Sequence, residues 1–168
     1  MLEQYTREEL EGMLHDAALN WLAHDGLWFL AVEEKFDQET AIELDGVAWE
    51  AFTVIEAKRI MKRHGIEPGG GIPALAKALS CRMYALINDS EIVEQSESRL
   101  VYRMNRCRVQ DARKRKGLPD FPCKPVGLIE YSGFARTIDP RIETSCLGCP
   151  PDPGERDFAC AWEFTLKP

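Results

Sequence analysis

The stretch IDPRIETSCLGCPPDPGERDFACAWEFTL (residues 138–166) has the clearest β-pattern in the chain and contains three of its six cysteines. Ile138–Cys146 and Phe158–Leu166 both have strand-like composition, and a loop rich in proline and glycine separates them. In the second segment Trp162, Phe164 and Leu166 occupy every second position, which is typical of a strand with one buried face. The stretch therefore predicts an antiparallel strand pair with cysteines on both sides of its loop.

Two more strands are predicted upstream of this pair, at Glu91–Gln95 and Arg99–Asn105. Leu100, Tyr102 and Met104 occupy every second position in the second of them, and apart from Val101 their neighbours are polar or charged. A short charged helix is predicted over Val109–Lys116, and Gly117-Leu-Pro119 is expected to end it.

The N-terminal part has helical patterns instead. Thr6 and Glu9 form a capping-box signature before apolar residues that recur at helical spacing as far as Trp21. His24-Asp25-Gly26 predicts an interruption, with a second helix over Leu27–Phe36.

A long helix is predicted over Gln38–His64, with Asp37 as its N-cap and Gly65 as its left-handed C-terminal residue. Its apolar stripe, which we expect to be buried, consists of Leu44, Val47, Ala48, Ala51, Phe52 and Ile55. The Gly69–Gly71 turn then leads into a further predicted helix, Ala74–Ile87.

Together these elements predict an α+β fold, with N-terminal helices packed on an antiparallel sheet and a cysteine-rich metal site at the C-terminal hairpin. We expect residues 1–168 to form a single domain, with a helical part at 1–66 and an α+β part with the metal site at 67–168.

Composition excludes several classes of protein. The net charge of −7 disfavours nucleic acid as a partner. The charge is uneven, since residues 1–60 carry 14 acidic and 4 basic side chains, whereas residues 61–168 carry 14 acidic and 17 basic ones. The apolar runs are too short for a membrane span, and no secretory signal pattern is present. The sequence therefore predicts a cytoplasmic protein whose cysteines remain reduced.

Five of the six cysteines lie in the last 62 residues, and clustered thiols in a reducing compartment indicate a metal or catalysis. Cys146 and Cys149 form a CxxC pair, which can bind one tetrahedral metal. Cys81 is the exception, since it lies among apolar residues and is expected to be a small core residue.

The run from Cys123 through Gly133-Phe134, Glu143-Thr-Ser-Cys146 and Cys160-Ala-Trp-Glu-Phe164 resembles the 4-vinyl-reductase-type small-molecule-binding domain. In that family a helix bearing Gly-Phe follows the first cysteine, and some members hold zinc with three cysteines and the glutamate. The resemblance implies the ligands Cys123, Glu143, Cys146 and Cys160. The loop before Cys160 is longer here, and Cys149 is an additional candidate that could replace Glu143.

A second resemblance covers Cys107 and the segment Gly117-Leu-Pro-Asp-Phe-Pro-Cys123, which is similar to enzymes of the L-2-amino-thiazoline-4-carboxylic acid hydrolase type. Over most of its length the chain resembles a family of cytosolic proteins common in anaerobic bacteria and archaea. These resemblances leave the protein's status as an enzyme open.

Cys107 is the candidate catalytic residue of the hydrolase hypothesis. It lies between Arg106 and Arg108, and nearby cations favour a thiolate that could attack a C=N or amide-like carbon. The alternatives are a partly buried structural cysteine and a fifth metal ligand.

Several aromatic residues are expected to form the core, and some to line a small-molecule pocket anchored by a polar group such as Arg103. The pocket candidates on the helices are Trp28, Phe29, Trp49, Phe52 and Tyr84. His15 and His24 would point to opposite sides of one continuous helix, so a joint role requires the interruption near Gly26.

The sequence thus predicts a metal-binding protein, with zinc as the simplest metal, that binds a small organic molecule. A hydrolase and an iron–sulfur protein are the alternatives, and a homodimer is left open.

Overall fold

The computed structural model describes residues 2–168, and within this range six α-helices and a four-stranded antiparallel sheet confirm the α+β class. A short 3₁₀ turn at Leu2–Gln4 comes first. The elements are α1 Arg7–Lys35, α2 Gln38–His64, α3 Gly71–Leu79, α4 Met83–Ile87, β1 Asp89–Gln95, β2 Arg99–Arg106, α5 Arg108–Arg115, α6 Lys124–Ile138, β3 Ile142–Gly148 and β4 Cys160–Leu166.

The sheet has the order β1-β2-β4-β3, so the last strand of the chain lies inside it. Trp162 on β4 pairs with Tyr102 on β2 and with Cys146 on β3. The predicted buried face is confirmed, because Leu100, Tyr102 and Met104 are buried together with Trp162 and Phe164. Val101, on the other face of β2, is buried as well. This face packs against α3 and α6 and forms the main core.

The structure contradicts the predicted interruption of the first helix, because α1 is continuous through His24-Asp25-Gly26. A glycine inside a helix costs only about 1 kcal/mol. Aromatic packing on both sides of Gly26 offsets that cost, since Trp21 stacks on Phe52 and Phe29 packs against Phe121. The predicted capping box at Thr6 and the N-cap Asp37 are both present, and Gly65 has the expected left-handed conformation.

The predicted buried face of α2 is wrong. Leu44, Val47 and Ile55 are exposed, while Trp49, Thr53, Ala57 and Ile60 on the opposite face are buried. The reason is the close approach of α6, whose Gly133 lies so near Thr53 that a Cβ there would be 2.6 Å from the threonine methyl.

The predicted helix Ala74–Ile87 is divided into α3 and α4 by residues 80–82. Arg82 has extended backbone at the start of α4 and buries its guanidinium between the carboxylates of Glu56 and Glu130. Cys81 therefore lies in this break, half-buried, rather than inside a helix.

The predicted strand Ile138–Cys146 begins too early, because Ile138 is the last residue of α6. Leu166 still ends β4 as predicted, although β4 begins at Cys160. Within residues 2–168 no helix combines the length and the apolar character needed to cross a membrane.

Candidate metal and ligand site

Two cysteine side chains meet at the N-terminal end of α6. Cys123 is the residue before the helix, and Cys149 directly follows β3. Their sulfur atoms are 3.2 Å apart, and Cys149 is completely buried. The distance is longer than the 2.03–2.05 Å of a disulfide bond, and all six cysteines have free thiols.

A third thiol, that of Cys160 at the start of β4, lies near Cys149 in the wall of the same cavity. The hydrogen bond with Cys149 lowers the pKa of Cys123 against the effect of burial, while the contacts with Cys123 and Cys160 raise the pKa of Cys149. The pair therefore titrates as a unit, in which one thiolate is stabilised by the hydrogen bond from the remaining thiol.

Two N–H groups point at the sulfur atoms of this cluster. The side-chain amide of Gln110 donates to Cys123 Sγ at 3.6 Å, and the indole of Trp162 donates to Cys160 Sγ at 3.3 Å. Gln110 is itself fixed by two hydrogen bonds with the backbone of Phe121. Donors of this kind stabilise negative charge on sulfur.

The loop that carries Cys149 is tied to the start of α6. The backbone N–H of Lys124 donates to the carbonyl of Pro150, and its ammonium pairs with Asp152 at 2.7 Å. Asp152 also accepts from the Cys149 backbone N–H. These contacts hold Cys149 beside Cys123 although 26 residues separate them.

A cavity of about 580 Å³ lies against these thiols, between α1, α2, α5, α6 and the sheet. Its wall is mainly apolar and aromatic, as is usual for small-molecule sites. Four cysteines contribute to the wall, namely Cys107, Cys123, Cys149 and Cys160.

The structure places only part of the predicted aromatic set at this cavity. Trp49, Tyr84 and Phe29 line it. Trp28 does not, because its side chain is 70% exposed on α1, and the expectation that it belongs to the core is wrong.

Phe52 and Arg103 also lie elsewhere. Phe52 packs against Trp21 and Trp49 in an aromatic cluster beside the cavity. Arg103 is half-buried on β2, where its guanidinium binds Glu91 at 2.7 Å, so it is not the polar anchor of the cavity. His24 is exposed on α1 and does not meet His15, because the helix is continuous.

The remaining predicted metal ligands lie on opposite faces of β3. Glu143 is exposed and pairs with Lys167 at 3.1 Å, away from the thiols. Cys146 is half-buried, pairs with Trp162 across the strands and has its pKa raised chiefly by burial. Cys149 rather than Glu143 is therefore the partner of Cys123.

Cys107 is the residue before α5 and lines the cavity. Burial raises its pKa to about 12, and the thiols of Cys160 and Cys123 add to this effect. The adjacent Arg106 does not counter it, because its side chain is exposed and pairs with Asp111. Cys107 is thus protonated at neutral pH, and this environment disfavours the thiolate that nucleophilic hydrolysis requires.

Carboxylates line another part of the cavity. Asp25 and Asp45 come from α1 and α2, and Glu130 comes from α6. Burial, with the charges of Asp25 and Glu130, raises the pKa of Asp45 to about 7. Burial likewise raises the pKa of Glu130, against the favourable charge of Arg82.

Arg82 lies beneath this acidic region and is almost completely buried. It donates to Glu56 at 2.9 Å, and its Nη2 atom lies 2.7 Å from Glu130 Oε1. The contact with Glu130 is an ion pair whose geometry is not that of a hydrogen bond, so the Oε1 atom of Glu130 has no hydrogen-bond donor. The guanidinium also lies over the ring of Phe134 at 4.7 Å.

Gln110, Asp45 and Arg82 were absent from the sequence predictions. Each is a polar residue in an ordinary helical or turn context, and only the packing of distant elements gives it a role. The clustering of cysteines was the one signal that pointed to this region.

Within residues 2–168, no group of three or more His, Cys, Asp or Glu side chains is arranged so that it could hold a metal ion. Neither the curated proteins nor the solved structures contain a match to this sequence. A family model does match, and it spans residues 3–166. The chain therefore belongs to the family of unknown function DUF6125.

Proposed function

We propose that this protein binds a metal ion, most simply zinc, through Cys123, Cys149 and Cys160, in the wall of a cavity that takes a small organic molecule. The observation that supports this most strongly is the 3.2 Å approach of Cys123 and Cys149, next to Cys160, at a cavity of about 580 Å³. Free thiols are typical of a reducing compartment, so we place this function in the cytoplasm.

Cys123 and Cys149 need little movement to share a metal, whereas Cys160 must come closer to complete the site. Two sulfur atoms bound to one tetrahedral zinc at about 2.3 Å lie about 3.8 Å apart. Cys123 and Cys149 would therefore separate by roughly half an ångström from their present distance. Gln110 and Trp162 already supply the N–H donors that commonly surround metal-bound sulfur.

Cys107 and Cys146 are the candidates for a fourth ligand. Cys107 is favoured because it lines the same cavity as the other three thiols, which Cys146 does not. An iron–sulfur cluster remains the alternative occupant, since four cysteines would satisfy it as well.

The organic ligand is expected to be mainly apolar with one or two polar groups. Phe29, Trp49 and Tyr84 provide apolar contact area, and Gln110 and Asp45 provide polar anchors. A cavity of about 580 Å³ falls in the usual size range of small-molecule sites, about 300–1,000 Å³.

Metal analysis and an optical spectrum of anaerobically purified protein test the metal part of the proposal. We expect about one zinc per chain, which is lost in Cys149→Ser and kept in Cys81→Ser, a half-buried cysteine outside the cavity. Visible absorption together with bound iron would show that the site holds an iron–sulfur cluster instead of zinc. Protein without any bound metal, also after incubation with zinc, would contradict the proposal.

Native mass spectrometry with small aromatic acids and thiazolines tests the ligand part. Ala112→Trp places a large side chain at the cavity wall and should abolish binding. Ala31→Trp, on the exposed face of α1, is the matched control and should retain it. If no compound binds, or if both variants bind equally, the cavity is not the ligand site.

A further inference from the structure

Helix α2 has a second apolar face that the described part of the chain does not cover. Leu44, Val47 and Ile55 on this face are 50%, 62% and 45% exposed, and Ala48 and Ala51 between them are exposed as well. Leu44, Ala48, Ala51 and Ile55 have the alternating spacing of four, three and four residues that is typical of a helix–helix seam.

The exposed charges of α2 are separated along its length. Residues 38–50 contain four acidic and no basic side chains, whereas residues 58–63 contain four basic ones. Glu43 lies beside one end of the apolar seam, and Lys58 and Lys62 lie at the other. Within residues 2–168 none of these three side chains has an ion-pair partner.

We propose that α2 packs antiparallel against α2 of a second copy of this chain. A two-fold axis between Ala48 and Ala51 places Leu44 of one copy against Ile55 of the other and lets the small alanines approach closely at the centre. The same register brings Glu43 near Lys58 of the second copy.

Charge distribution selects the antiparallel arrangement and the identical partner. An antiparallel pair places the acidic half of each α2 along the basic half of the other, whereas a parallel pair would place like charges together. A surface that is complementary to itself in this way fits a second copy of the same chain.

An exposed tryptophan extends this surface onto α1. Trp28 lies seven residues after Trp21, on the same face of the helix, and Trp21 stacks on Phe52 of α2 at 5.5 Å. The 70% exposed Trp28 side chain therefore adds exposed apolar area beside Trp21.

Analytical ultracentrifugation of the full chain tests the proposal. We expect the wild type to be a dimer and Ala51→Arg to be monomeric, because the two-fold axis would bring two arginines together. Leu147→Arg changes a side chain that is 51% exposed on β3, and it should remain dimeric. Circular dichroism establishes that each variant is folded.

Charge reversal tests the direction of packing. Glu43→Lys should weaken the dimer about tenfold, because two like-charge pairs arise. Adding Lys58→Glu should restore the affinity in an antiparallel dimer only. A monomeric wild type, or a dimer that Ala51→Arg leaves intact, would overturn the proposal, and a double variant as weak as Glu43→Lys would overturn the antiparallel arrangement.

Discussion

Among the single residues near the cavity, Arg82 is expected to contribute most to stability. Its guanidinium compensates two buried carboxylates, those of Glu56 and Glu130. Removing one partner of a buried pair leaves uncompensated charge, which costs far more than the net stabilisation of the pair itself.

We predict that Arg82→Met lowers the free energy of unfolding by about 3–5 kcal/mol. Arg7→Met is the control, because Arg7 pairs with Glu11 on the surface and its side chain is 92% exposed. That change should stay within about 0.5 kcal/mol. Urea denaturation measures the free energy of unfolding of both variants. If Arg82→Met loses as little stability as Arg7→Met, the buried network does not stabilise the fold.

Asp45 should make stability depend on pH. Its pKa is about 7 in the folded protein, against an ordinary value of 3.8, so between these values the folded state binds more protons than the unfolded state. Stability contributed by protonated Asp45 is therefore present at low pH and is lost as the pH rises from about 4 to about 7.

Asp45→Asn removes this dependence because the amide does not titrate. Relative to the wild type, the variant should gain about 1–2 kcal/mol between pH 5 and pH 8. Chemical denaturation at both pH values measures the gain, with Asp16→Asn on the exposed face of α1 as the control. Identical pH profiles for wild type and Asp45→Asn would contradict the assignment.

At the scale of elements, the packing of α2 on α6 decides which face of α2 is buried. Local sequence patterns predicted that α2 exists and where it ends, because Asp37 and Gly65 act within one helical turn. They did not identify the buried face, because both faces carry apolar residues and the choice depends on Gly133, eighty residues after Thr53.

We predict that Gly133→Ala destabilises the protein by about 1–3 kcal/mol through overpacking against Thr53. Gly12→Ala is the matched helical control, because nothing lies within 4 Å of the added methyl. That change should stabilise α1 by about 0.5–1 kcal/mol. Thermal unfolding distinguishes the two, and a neutral Gly133→Ala would show that the helices can separate without cost.

The strands were predicted more accurately than the helix faces. The buried face of Leu100, Tyr102 and Met104 is confirmed because one face of a strand follows from every second residue. The break between α3 and α4 could not be predicted, since it depends on the ion pairs that the buried Arg82 forms with Glu56 and Glu130.

At the scale of the whole molecule, three cysteines bring together the start of α6, the loop after β3 and the start of β4. Cys123 precedes α6, Cys149 begins the loop after β3, and Cys160 begins β4. Their clustering in the sequence predicted that several would meet. The pairing of Cys123 with Cys149 depends on Lys124 and Asp152, which fix the intervening loop and have no sequence signature.

Removing the proposed metal should therefore loosen the loop between β3 and β4. We predict that a chelator lowers the thermal midpoint by on the order of 10 °C, because bound metal stabilises only the folded state. The wild type with confirmed metal loss is compared with Cys149→Ser, whose midpoint the chelator should not change. An unchanged wild-type midpoint would mean that the metal does not stabilise the fold.

X-ray absorption at the zinc edge of the purified protein tests the central claim most directly. The account predicts three or four sulfur atoms at about 2.3 Å from the metal, with one sulfur fewer in Cys160→Ser. A first shell made only of nitrogen and oxygen, or a sulfur shell that Cys123→Ser, Cys149→Ser and Cys160→Ser all leave unchanged, would contradict it.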